Sequence, residues 1–124
     1  MAVRGPAELH RLWEEAHNSG DIDALAALYE PEAAYVTEPG KVRQGTEAVR
    51  DILGGFFALN GEAKFVNRRV IGNDDLAILI SDWKLTYAGE DGAPVELADT
   101  TPDVVRRQPD GVWLIAVDNP FGLA

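Results

Sequence analysis

Cysteine is absent from the 124-residue chain. That excludes disulfide staples, thiol nucleophiles and thiolate metal sites. A chain without thiols suits a reducing compartment, and a cytoplasmic location is expected. Basic residues are scarce: 11 Lys and Arg stand against 21 Asp and Glu, a formal net charge of −10. Such a surface repels phosphate backbones and anionic lipid, so no nucleic-acid or membrane partner is expected. No apolar run approaches the ~18 residues of a spanning helix. Met1 to Pro6 has no apolar stretch, so no signal peptide is expected. Phosphate-cradling glycine loops, dinucleotide fingerprints and serine elbows are missing, so no cofactor is expected. His10 and His17 lie seven apart on one helix, ~10 Å along its axis. That is too far for one metal ion, no third ligand accompanies them, and no metal site is expected.

What is present is an ordinary globular composition, 46% hydrophobic, with a length that suits one domain over residues 1–124. Pro6 and Glu8 open a first helix. Leu9, Leu12, Trp13 and Ala16 give it one apolar stripe, and Asn18-Ser19-Gly20 stops it. Asp21 caps a second helix with Ile22, Leu25 and Leu28 inward, ended by Pro31. Ala33 to Thr37 reads as a strand, followed by a Pro39-Gly40 turn and a third helix that Thr46 can cap. Gly54-Gly55 inside that helix costs roughly 1 kcal/mol per glycine. The expected reason is close packing against a neighbour.

After Asn60-Gly61 the period becomes two. Strands are expected over 63–71, 76–87, 95–107 and 112–117, joined by turn-rich links. Short links between sequential strands make an antiparallel meander. Leu76 to Ile80 is continuously apolar, so cover on both faces is expected: helices on one, another subunit on the other. Helices first and strands after give an α+β domain.

The element order resembles the nuclear transport factor 2-like superfamily, which includes ketosteroid isomerases and polyketide cyclases of the SnoaL type. The most specific stretches are Gly20-Asp21, Ala34 to Arg50, and Asp110 to Ile115 with Asp118 to Gly122. That ending resembles a subgroup of bacterial isomerase-like proteins, some linked to secondary metabolism. The resemblance implies a cone-shaped, cystatin-like roll, with three N-terminal helices packed on a curved antiparallel sheet. It also implies an apolar ligand in the hollow and a homodimer through the outer sheet face.

Carried over residue by residue, the resemblance gives Glu38, directly before the turn proline, the role of base. A carboxylate at the mouth of an apolar hollow has its proton affinity raised and can act so. The other reading is a solvated turn carboxylate, common at such positions. Trp13 falls where those enzymes carry an oxyanion-donating tyrosine. Asp99 or Thr100 falls where they carry a second, protonated acid. Asp99, Thr101 and Asp103 share one strand face, either a polar wall of the hollow or an exposed stripe. Asp82 is expected in an ion pair with Arg68, Arg69 or Lys84. Trp13, Tyr35, Phe56, Phe57, Phe65 and Trp83 are candidates for the apolar lining, though each aromatic is more often a plain core residue. Asp118 and Asn119 end the last strand, either reaching the hollow, as the resemblance implies, or making a turn with Pro120. The expected function is binding of a small apolar molecule. Its catalytic form is a cofactor-independent isomerase or cyclase acting on a carbonyl compound. The alternative is a non-catalytic binding or interaction module.

Overall fold

A computed structural model describes residues 3–122. A 3₁₀ turn at Pro6–Glu8 leads into α1 (Leu9–Asn18), which buries Leu9, His10, Leu12, Trp13, Ala16 and His17. Asp21 caps α2 (Ile22–Ala26) by accepting from the Ala24 amide at 3.0 Å. This helix is shorter than its apolar spacing suggests. β1 (Tyr29–Glu38) already starts at Tyr29 and runs through Pro31. The expectation that Pro31 ends a helix is thus corrected: the proline sits in an irregular part of a strand, where no ladder donor is needed. A strand not foreseen, β2 (Lys41–Gln44), pairs antiparallel with β1.

α3 (Thr46–Ala58) is preceded by Gly45 at φ 99°, a conformation open to glycine, so Thr46 lies inside the helix and does not cap it. A Cβ on Gly54 or Gly55 would meet nothing within 4 Å. Close packing does not explain that pair, and nothing in the structure does.

The meander follows as expected: β3 (Glu62–Gly72), β4 (Leu76–Ala88), β5 (Pro94–Arg107) and β6 (Trp113–Asp118). The sheet order is β2-β1-β6-β5-β4-β3, with β1 parallel to β6 and every other pair antiparallel. The architecture is an α+β roll: three α-helices lie in the curve of a six-stranded sheet. Leu9, Leu25, Leu53, Leu79 and Ile115, all essentially inaccessible, form the core between them. Among the described residues, no helix is long and apolar enough to cross a membrane.

Part of the outer sheet face is apolar. One cross-strand row runs Ile71–Ile78–Val104–Val117–Ala34 over five strands. Ile71 is 48% exposed and Ile78 40%. The expected cover on both faces of Leu76 to Ile80 is therefore absent within one chain: the helices cover only the side of Ala77, Leu79 and Ser81.

Candidate functional site

The concave side of the sheet should be greasy, yet a polar cluster lies at its centre. His10, Ser81, Thr101, Asp103 and Asp118 are all buried, at 5% exposure or less. Buried polar groups survive only where they are paired, and these are. His10 Nε2 lies 2.7 Å from Asp103 Oδ2, and His10 Nδ1 lies 2.6 Å from Ser81 Oγ. The Thr101 hydroxyl and the Asn119 amide (2.8 Å) both donate to Asp103 Oδ1. The Trp13 indole N–H donates to the Tyr29 hydroxyl at 2.8 Å, and Tyr29 donates to Asp118 Oδ2 at 2.5 Å.

Strand phase puts these groups together. Ser81 pairs with Thr101 and Leu79 with Asp103, so the inner face of β4–β5 alternates through all four. On β6, Val117 pairs with Val104 but Ile115 with Val105, which leaves Ala116 as an extra residue. That bulge turns Asp118 inward. α1 brings His10 and Trp13 over the sheet from above, three residues apart on one helix face.

Burial pushes the Asp118 carboxyl well above the ordinary carboxylate range. The neighbouring charge of Asp103 adds to the rise, and the Tyr29 hydroxyl works against it. Burial, with the nearby Asp118 charge, also pushes the Tyr29 and Tyr35 phenols up, so both remain donors.

The cluster forms one wall of a cavity. His10, Tyr35, Thr101, Asp103 and Asp118 face it from the polar side. Trp13, Phe56, Ala63, Phe65, Trp83, Leu85 and Pro120 face it from the apolar side. Its volume is about 30 Å³, the space of a water molecule or two. The hollow is thus a narrow slot, and the rings of Phe56, Phe65 and Trp83 in its wall are only partly buried.

Two carboxylates expected in the hollow lie outside it. Glu38 is exposed and pairs with Lys41 at 2.7 Å. The chain does not pass from β1 straight into a helix; it folds back as β2, and that hairpin carries Glu38 to the sheet edge. Asp99 faces the inner side beside Trp83, but beyond the helices' cover. It is exposed, as is Leu97 on the same side at 38%, and Asp99 accepts from its neighbour's amide, Thr100 N. Neither carboxylate is buried. Trp13 lines the slot, but its one N–H is given to Tyr29 and is not free for a carbonyl. Phe57 packs edge-on against His17, outside the lining. Asn119 supports Asp103 through its main chain, and its side-chain amide donates to the Gly122 carbonyl.

A SnoaL-like domain model matches residues 9–115. The chain belongs to the SnoaL-like domain family. Similar solved structures include a ketosteroid isomerase-like protein from Erwinia carotovora atroseptica. It is 19% identical over 89% of this chain and 87% of that one, with a TM-score of 0.74. Another is a nuclear transport factor 2-like protein with a cystatin-like fold from Novosphingobium aromaticivorans, 17% identical over 90% and 75%, with a TM-score of 0.75. A conserved protein from Planctomyces limnophilus is 20% identical over 89% and 87%, with a TM-score of 0.75. No curated protein matches. At these identities the likeness establishes the fold.

For this SnoaL-like chain, sequence reasoning missed His10, Tyr29 and Ser81 as site residues, and it left Asp103 and Asp118 each between two readings. One signal was present: a histidine beside Leu9 and three residues before Trp13 places a polar group on the buried stripe of α1. The inward direction of Asp118 depends on the β6 bulge.

Proposed function

We propose that the slot widens as the rings of Phe56 and Phe65 swing aside, that it then binds a small, largely apolar carbonyl compound, and that the chain moves protons on that compound without a cofactor. The observation that supports this reading is the Asp103–Asp118 carboxyl pair, buried and facing an apolar wall. One carboxyl keeps its proton because two adjacent charges in such a place are costly. Asp118 gives its proton to the carbonyl oxygen, while Asp103 takes one from the neighbouring carbon and a C=C bond forms. Return of a proton at another carbon gives an isomerised product; attack of the enol carbon on a second carbonyl gives a ring. Tyr29 holds Asp118 in place, and the rings of Trp13, Phe56, Phe65 and Trp83 hold the skeleton.

Enolisation is measurable without knowing the natural substrate. 2-Tetralone, a flat apolar ketone, exchanges its α-hydrogens for deuterium in heavy water when a base acts on it. The protein is expected to accelerate that exchange. Asp118→Asn, which keeps shape but cannot pass the proton on, is expected to lose about 10²–10⁴-fold of the acceleration. Slow exchange equal to that of buffer, or full activity in the variant, overturns the reading.

The bare outer face supports a second, separate proposal: two copies of the chain pack through the Ile71–Ile78–Val104 row as a homodimer. A contiguous apolar strip of that kind is rarely left open to water.

A further inference from the structure

Behind the Asp103 carboxyl runs a chain of hydrogen bonds whose direction can be derived donor by donor. It starts at the main-chain carbonyl of Ala7, which can only accept. Asn67 Nδ2 donates to it at 2.9 Å, and this fixes which end of the Asn67 amide is which. Asn67 Oδ1 therefore faces Ser81, and the Ser81 hydroxyl donates its one hydrogen there at 2.7 Å. Ser81 Oγ has no second hydrogen for His10. At 2.6 Å from His10 Nδ1 it must accept, since two lone pairs at that distance repel. Nδ1 thus carries a hydrogen. One more proton lies between His10 Nε2 and Asp103 Oδ2, 2.7 Å apart, whichever of the two atoms holds it more closely.

We infer that Asn67, acting through Ser81, is a positioning residue that loads the His10–Asp103 pair with two protons and makes it neutral overall. Without the amide, the Ser81 hydroxyl can turn and donate to Nδ1. His10 then keeps its single hydrogen on Nε2, and the pair carries one negative charge. Ser81, His10 and Asp103 have the residue types of a nucleophilic triad, yet the polarity runs the wrong way. A histidine nitrogen that already bears a hydrogen cannot accept one from serine. Ser81 is an anchor for the imidazole. A neutral pair beside a protonated Asp118 spares the slot a buried net charge, and this consequence for catalysis rests on the acid–base reading above. The placement of hydrogens does not.

Histidine labelled with ¹⁵N on both ring atoms decides it in the whole protein. At neutral pH, one-bond N–H coupling is expected at His10 Nδ1 of the wild type. In Asn67→Ala the Nδ1 coupling is expected to vanish and a neutral Nε2–H ring to appear. Asn67→Asp, which still accepts from Ser81, is expected to restore the wild-type pattern. A bare Nδ1 in the wild type, or an Nδ1 hydrogen that persists in Asn67→Ala, overturns the inference. In the 2-tetralone assay Asn67→Ala is expected to lower the maximal exchange rate several-fold with an unchanged half-saturating concentration. A wild type that exchanges no ketone sinks the catalytic reading, while the ¹⁵N spectra still judge the placement of hydrogens.

Discussion

Thr100 and Thr101 are neighbours on β5, and each donates its hydroxyl to an aspartate, but on opposite faces of the sheet. Outside, Thr100 reaches Asp82 at 2.7 Å, and Arg68 Nε reaches the same oxygen at 2.8 Å. Inside, Thr101 reaches Asp103, whose other oxygen meets His10. The partner sets are alike: a hydroxyl and a basic side chain. The surroundings are not. The Asp82 side chain is 41% exposed, and the Arg68 guanidinium with the Thr100 hydroxyl holds its carboxyl below the ordinary range. Within the inner cluster the Asp118 carboxyl goes the other way, driven first by burial. Proton affinity here follows burial more than the number of partners: the exposed Asp82 goes down and the buried Asp118 goes up.

Removing one partner on each side sharpens that contrast most. His10→Ala leaves a buried carboxylate without its mate and is expected to cost about 3–5 kcal/mol in urea unfolding. Arg68→Ala removes an exposed pair and is expected to leave the urea midpoint where it was. Equal losses from the two variants would mean that the inner pair is as well hydrated as the outer one.

Apolar side chains on adjacent positions of β4 offer the same comparison without charge. Leu79 is fully buried, and Leu79→Ala is expected to cost about 2–5 kcal/mol. Ile78 points outward, so Ile78→Ala should stay within about 0.5 kcal/mol when measured on a dilute monomer. Ile78→Asp is then the stricter probe of the homodimer proposal. Its expected effect is a halved mass in light scattering with unchanged circular dichroism. An Ile78→Asp protein that keeps the wild-type mass removes the outer row from any interface.

How much of this was legible follows from what each feature depends on. The four meander strands emerge within a residue or so of their expected limits, because turn residues and period-two alternation are local signals. The Asp82–Arg68 pair was also readable, since Asp82 interrupts an apolar strand and needs a cation near it. β2 was hidden: Lys41–Gln44 is polar and exposed throughout, and only its register against β1 makes it a strand. Glu38 was misplaced for that reason. The inner polar wall was hidden differently. Alternation shows that Asp99, Thr101 and Asp103 share a face, but which face turns inward is decided by α1 and by the β6 bulge, far away in sequence. Asp99 shares that face yet sits past the helices' cover, a boundary that no local pattern records.

The raised proton affinity of Asp118 makes a directional claim about pH. Its folded form holds the proton where the unfolded chain has released it. Stability linked to this group is therefore fullest below the ordinary carboxylate range and declines as pH rises through the raised folded value. Asp118→Asn should be level with the wild type in acid and relatively more stable toward neutral pH, in urea midpoints taken along a pH series. A difference that does not change with pH would mean that Asp118 is an ordinary hydrated acid.

The smallest effect belongs to the outer face and has the opposite sign. Asp82 has its folded proton affinity lowered, so its contribution is present above the ordinary carboxylate range and lost as pH falls through the lowered folded value. Against Asp82→Asn, the wild type should hold a slight advantage at neutral pH and lose it in acid. Salt should erase that advantage, because exposed charges are screened within about 10 Å at 0.1 M ionic strength. The Asp118 difference should survive the same salt, since its carboxyl is buried and buried charges are screened far less. If both differences fade together with added salt, the two faces of the sheet share one electrostatic environment, and the burial that separates Asp118 from Asp82 has no energetic meaning.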